Sequence, residues 1–159
     1  MRAMRFKIAE CVVKLLQFVA MVLTALALVP GGAHFLELPN KIHLSESDYF
    51  ITQSIYRGWA LLGIVLIGAA LANLTVAMLM RTQRAPSIFA LISGLCLLAT
   101  LAIFFTFTFP ANQATNNWTQ VPSEWQQLRW QWELSHAVNA VITFVAFSSL
   151  TISLLLTRK

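Results

Sequence analysis

The chain has 159 residues, of which 58% are apolar and only 11% charged, with a mean hydropathy of +0.70. Soluble domains carry about 25% charged residues, so water is excluded as the main solvent and a single domain over residues 1–159 is expected to sit in lipid. The net charge of +5 would suit a nucleic-acid surface, but the positions of the basic residues exclude that reading below.

The first apolar stretch, 15–35, lies in a helix expected over about 8–35 and follows a basic leader with Arg2, Arg5 and Lys7. It is longer than the roughly 7–15-residue core of a signal peptide, so a retained membrane helix is expected. A polar loop over about 36–54 follows. The second stretch, 58–80 in a helix over about 55–80, meets the third, 85–109 in a helix over about 86–110, at a basic turn of a few residues, 81–86. So short a turn makes these helices antiparallel neighbours. A second polar loop, about 111–129, leads to the fourth stretch, 134–157, in a helix over about 130–157.

Each stretch meets the requirement of about 20 mainly apolar residues for crossing a hydrocarbon core about 30 Å thick. A helix also satisfies its own backbone where lipid offers no partners. The expected fold is therefore all-α, an integral membrane four-helix bundle. Asn40 and Arg57 stand as far apart as Asn112 and Arg129, each pair between two apolar helices, which fits two tandem helical hairpins. Small residues at Gly68 and Ala72, Ala90 and Gly94, and Ser149 and Ser153 let helices approach closely.

Lys14, Arg81, Arg84, Arg158 and Lys159 join the leader's basic residues at the termini and the short turn, whereas only Lys41, Arg57 and Arg129 fall at the other end. The positive-inside rule then puts both termini in the cytoplasm and the long loops outside, as in a bacterial inner membrane. The basic excess is topological, with membrane lipid as the partner and no nucleic acid. Cys11 and Cys96 lie on different helices with no Cys-x-x-Cys, which excludes a disulfide-exchanging membrane thiol oxidoreductase and leaves two inert thiols.

Chemistry-bearing residues gather at the loop end. His34-Phe-Leu-Glu37 closes the first helix and Glu133-Leu-Ser-His136 opens the fourth. Spacing of i, i+3 puts each pair on one helix face. Two imidazoles and two carboxylates converging from two helices would suit one transition-metal ion, iron, manganese, zinc or copper, with His34, Glu37, Glu133 and His136 as ligands. The same residues also read as a metal-free polar cluster or as helix-end caps, with Glu133 pairing to Arg129. His43 is a weaker candidate ligand. Asn139, one turn beyond His136, either ties helices together, as Asn73 does, or orients the imidazole. All five tryptophans, Trp59, Trp118, Trp125, Trp130 and Trp132, and both tyrosines stand in or beside the loops, more than an interfacial belt requires. Some are expected to line a pocket for a flat apolar molecule.

Pro110-Ala-Asn112, then Trp118, then Trp125-x-x-x-Arg129-Trp130-x-Trp132-Glu133-x-x-His136 resembles the second half of a family of small four-helix membrane proteins that includes the fungal anthrone oxygenases. Gly31-Gly32-x-x-Phe35 with Pro39-Asn40 is similar to its first half. The resemblance implies oxygen-dependent oxidation of a lipophilic hydroxylated aromatic, an anthrone going to an anthraquinone. It places His136 and Arg129 at the stretch opening the last helix and Asn112 at the step ending the third. His34 and Glu37 have no counterpart in it.

The functional expectation is a membrane oxidoreductase or oxygenase with its pocket at the loop end. His136, Glu133 and Arg129 would be its catalytic residues, and Trp118, Trp130, Trp132, Asn112, Asn40 and Arg57 would hold the substrate. A non-enzymatic subunit or small-molecule binder, docking a partner membrane subunit or another copy of itself through the aromatic loops, is the alternative. A glutathione-handling four-helix enzyme is disfavoured because the short turn carries only Arg81 and Arg84.

Overall fold

A computed structural model describes residues 2–158, with side chains from residue 10 onward. The side chains of Arg2, Arg5 and Lys7, and the whole of Lys159, lie outside the described residues. Helix α1 runs Arg2–Lys41, α2 Glu46–Gln53, α3 Leu62–Leu79, α4 Arg84–Ile103, α5 Phe109–Ala114 and α6 Trp125–Leu156. Short 3-10 turns at Ser54–Tyr56 and Trp59–Leu61 join α2 to α3, and a π-helical turn, Phe104–Thr108, joins α4 to α5. No strand occurs among the described residues.

Among the described residues, four helical runs are long and apolar enough to cross a membrane: Glu10–Lys41, Trp59–Leu79, Arg84–Ala114 and Trp125–Leu156. The chain is an integral membrane four-helix bundle. Helix α1 packs on α3 and α6, and α4 packs on the same two, so the spans close into a ring. Its interior is made of small side chains such as Ala20, Ala69, Ala70, Ala77, Ala90 and Ala146, with Leu97 and Leu150 among them. Large apolar residues such as Leu15, Ile64, Leu71, Phe144 and Leu155 point outward. In water that surface would be an aggregation hazard, whereas in lipid it is solvated.

Two glycines set the closest crossings. A Cβ on Gly94 would lie 2.7 Å from Leu74 Cδ2, and one on Gly31 would lie 3.3 Å from the Cα of Ala140. The Gly31 contact draws α1 against α6 one turn before His34, which positions the site described below. Polar groups along the spans tie helices together, as lipid demands. Asn73 Nδ2 donates to Thr24 Oγ1 at 2.9 Å, Ser153 Oγ to the Pro86 carbonyl at 2.7 Å, and Thr108 and Ser135 hydroxyls meet at 2.7 Å. Asn139 donates to the Thr100 carbonyl at 3.3 Å, so it joins α6 to α4 rather than orienting His136.

The helices extend further into the loops than hydropathy indicates. Helix α1 continues through Pro39 to Lys41, because a proline this near the end removes only one backbone bond, to the Phe35 carbonyl. Much of the expected 36–54 loop is α2, capped at its start by Ser45, whose Oγ accepts from the Asp48 N–H at 3.2 Å. The third span widens into the π turn just before Pro110. That ring has no N–H to donate and would press on the Thr106 carbonyl in a regular ladder.

Candidate functional site

At the loop end, α1, α2, the first 3-10 turn and α6 bring their polar side chains together. His34, Glu37 and Lys41 recur at i, i+3 and i+7, one stripe of α1. Arg129, Trp132, Glu133 and His136 form a matching stripe on α6. Helix α2 adds Tyr49 and Gln53, and the 3-10 turn adds Tyr56.

The centre of the cluster is Lys41, only 2% exposed. Its Nζ lies 3.1 Å from Glu133 Oε1 and 3.4 Å from Glu37 Oε1, and it donates to Tyr56 Oη at 3.0 Å. It also stands over the rings of Tyr56 and Trp132, at 4.2 and 4.6 Å from their centroids. A buried ammonium is costly unless paired, and here one lysine joins carboxylates from two helices. Glu133, 1% exposed, accepts from Tyr49 Oη at 2.9 Å, and Gln53 Nε2 donates to that same oxygen at 2.6 Å.

Glu37 Oε1 also accepts a hydrogen bond from Tyr56 and lies 2.8 Å from His34 Nδ1. A carboxylate can only accept, so the His34 proton sits on Nδ1 and Nε2 keeps its lone pair. Among the described residues neither His34 Nε2 nor either nitrogen of His136 makes a hydrogen bond. The two imidazoles stack with centroids 4.3 Å apart, and Trp132 lies edge-on to both, at 4.9 and 4.2 Å. Burial, followed by the neighbouring carboxylates, pushes the phenols of Tyr49 and Tyr56 far above their ordinary range. They remain proton donors at any physiological pH.

Aromatic side chains wall the cluster. Tyr49 (fully buried), Trp118 and Trp132 form its core with Ala111, backed by Phe50, Tyr56 and Trp125. Asn112 Oδ1 accepts from two indoles, Trp118 at 3.1 Å and Trp132 at 2.9 Å. The preceding loop is wound left-handed at Asn116, Asn117 and Trp118, with φ of 47, 55 and 62°. Such a conformation is costly for a tryptophan. Thr115 holds it, its Oγ1 accepting from Trp118 N at 3.0 Å and its carbonyl from the Thr119 and Gln120 N–H groups. The strained turn thereby seats the Trp118 indole against Tyr49.

An open surface cleft of about 190 Å³ is lined by Glu37, Asn40, Lys41, Leu44 and Thr52. Around Tyr49 three buried polar atoms, Gln53 Oε1, Glu133 Oε2 and Arg129 Nε, have no hydrogen-bond partner among the described residues. Each belongs to a side chain in contact with that tyrosine.

The residues expected from sequence fall into several groups. His34, Glu37, Glu133 and His136 do gather in one place. Among the described residues, however, no three His, Cys, Asp or Glu side chains form a metal-binding group. The cation between the carboxylates is Lys41, and its ammonium would face any metal placed there, so this arrangement does not fit the four-ligand set. Arg129 does not pair with Glu133. Its Nη1 donates to the Leu44 carbonyl at 2.9 Å and its guanidinium lies on Trp125 and Tyr49, because Lys41 already holds that carboxylate. Trp118 and Trp132 are buried, whereas Trp130 is 47% exposed on the outer surface of α6. Asn40 borders the cleft, Asn112 is taken up by the two indoles, and Arg57 is exposed. The two Asn–Arg pairs therefore do not play equivalent roles. Lys41, Tyr49, Gln53 and Tyr56 were not singled out as site residues. The i, i+3, i+7 pattern of His34, Glu37 and Lys41 was the available signal, and Pro39 concealed it.

The fold and this cluster define the protein's class, a four-helix membrane bundle with a lysine-bridged pair of carboxylates beside two stacked histidines. No family model, curated protein or solved structure matches the chain.

Proposed function

We propose that the chain is a membrane oxidoreductase that oxidises a lipophilic hydroxylated aromatic of the anthrone kind, with dioxygen as the oxidant. The observation that carries this reading is the Glu37–His34 pair, a carboxylate 2.8 Å from one imidazole nitrogen with the other uncommitted. That is the arrangement of a general base held in one tautomer by an acidic partner. His34 Nε2 takes a proton from the acidic hydroxyl or ring methylene of the substrate. Glu37 stabilises the resulting imidazolium, and Lys41 and Tyr56 hold Glu37 in place. His136 and the rings of Trp132, Tyr56 and Trp59 surround the imidazole, with centroids 4.3, 4.9, 4.5 and 5.7 Å away.

The electron-rich anion so formed reacts with dioxygen. Oxidation of a ring CH2 to C=O breaks two C–H bonds, places one oxygen atom on carbon and releases the other as water. No step is routed through a metal, since Lys41 occupies the position between the carboxylates. His34 replaces His136 as the base, and Lys41 replaces Arg129 as the cation nearest the reacting groups. The excess of basic residues at the other end supports a topology with the cluster on the outer, periplasmic side and both termini in the cytoplasm.

The test is oxygen uptake by purified protein in lipid nanodiscs supplied with a hydroxyanthrone. Uptake matched one-to-one by quinone formation is expected, falling about 10²-fold or more in His34→Ala, the range of a lost general base. Uptake no faster than in empty nanodiscs would remove the enzymatic reading and favour a binding or docking role for the aromatic end.

A further inference from the structure

Lys41 is a primary amine buried to 2% exposure, yet it borders a cleft reaching the surface. Fully buried lysines are rare, and their roles include Schiff-base formation with carbonyl compounds. The oxidation proposed above uses Lys41 only as a charge, holding Glu37 and standing as the cation nearest the reacting groups. We infer that Lys41 also forms a protonated imine with a small carbonyl compound, an aromatic or short-chain aldehyde entering through the cleft lined by Glu37, Asn40, Leu44 and Thr52.

The neighbouring groups supply what each step needs. Glu133 Oε1, 3.1 Å from Nζ, takes a proton from the ammonium and frees the nitrogen lone pair. That pair forms the C–N bond as the carbonyl π electrons move to oxygen, which is protonated by Glu133 or by Tyr56 Oη, 3.0 Å from Nζ. One of the two protons then on nitrogen passes by way of the Glu133 carboxylate to the hydroxyl, which leaves as water as the nitrogen lone pair forms the C=N bond, and the one proton left on nitrogen makes the product an iminium. The ammonium and carbonyl become iminium and water, so the charge between Glu37 and Glu133 is unchanged. In a low-dielectric site that conservation matters, because any product that removed the positive charge would leave two buried carboxylates unopposed. Both carboxylates serve as counter-ions before and after the reaction. The cleft, at about 190 Å³, exceeds the roughly 150 Å³ cavity that accepts benzene, so an aromatic aldehyde of one ring has room.

The experiment treats the purified full chain in detergent with benzaldehyde and sodium cyanoborohydride, which reduces an iminium to a stable secondary amine, followed by peptide mass spectrometry. Lys41 should be alkylated at least about tenfold faster than the exposed Lys14, as expected for an amine with positioned proton carriers. Glu133→Gln, which keeps the side chain's size, should slow labelling at Lys41 without altering Lys14. Labelling of Lys41 at or below the rate of Lys14 would overturn the inference, as would a rate at Lys41 unaffected by Glu133→Gln. None of these outcomes depends on oxygen uptake, so the two proposals fail separately.

Discussion

Replacing Lys41 by methionine is the sharpest perturbation of the bundle, since it keeps most of the side chain's volume and removes only its charge. The ammonium lies 3.1 Å from Glu133 and 3.4 Å from Glu37. At an effective dielectric near 20, each contact corresponds to about 5 kcal/mol of Coulomb attraction before desolvation. Glu37 is 28% exposed and Glu133 0% at the side chain, so solvent offsets much of the first loss and little of the second. Removing one partner of a buried pair costs about 3–5 kcal/mol, and Lys41→Met is expected to fall in that range. The double variant Lys41→Met with Glu133→Gln removes the stranded charge and should recover about half of the loss, so the two substitutions are expected to be strongly non-additive. Reversible unfolding in mixed micelles, followed by tryptophan fluorescence, measures all four corners of this cycle. A Lys41→Met change within about 0.5 kcal/mol of zero, the range of an ordinary surface substitution, would refute a buried ion triad at this position.

Other consequences follow from the same geometry. Tyr49→Phe removes the donor to Glu133 and the acceptor for Gln53, which should destabilise the fold by about 1–3 kcal/mol, read by the same unfolding curves. Asn112→Leu leaves the Trp118 and Trp132 indole N–H groups without their shared acceptor, and lower thermal stability with altered tryptophan emission is expected. Gly31→Val drives a side chain into Ala140, which should cost about 1–3 kcal/mol as overpacking and part His34 from His136, read by the same unfolding curves. The pH dependence of stability has a definite sign. Tyr49 and Tyr56 keep their protons in the folded state well above the unfolded value of 10.0, so above that pH the unfolded chain binds fewer protons. The contribution of these two phenols to stability should therefore be constant below about pH 10 and fall as pH rises beyond it, with a shallower fall in Tyr49→Phe.

Hydropathy alone revealed the four spans, and the positions of the charged residues, histidines and tryptophans marked the end of the bundle at which the polar cluster gathers. Which groups would meet was harder to read. Pro39 and the polar character of 36–54 pointed to a loop, whereas α1 continues far enough to carry Lys41 onto the His34–Glu37 stripe. With a loop assumed, Lys41 registers only in the charge count. Ser45-x-x-Asp48 was a legible helix start, since a serine followed three residues later by an acid marks a cap. Reading it would have placed Tyr49 and Gln53 on one face of α2. The left-handed turn at Asn116 to Trp118 and the role of Asn112 depend on contacts between distant segments, for which local sequence carries no periodic signal. Trp130 and Trp132 were separable by helical phase, which puts them on different faces of α6, but phase alone did not say which face turned inward.

The claim at the centre of this account is that the Glu37–His34 pair removes a proton from a hydroxylated aromatic bound at the polar end of the bundle. A hydroxyanthraquinone dye whose colour reports its own ionisation tests this directly, in anaerobic nanodiscs at a pH where the free dye is neutral. The account predicts that the wild-type chain binds the dye and turns it to the colour of its anion, and that His34→Ala, folded and lipid-bound, does not. Bound dye that keeps its neutral spectrum, or an anion spectrum that survives His34→Ala, would contradict it.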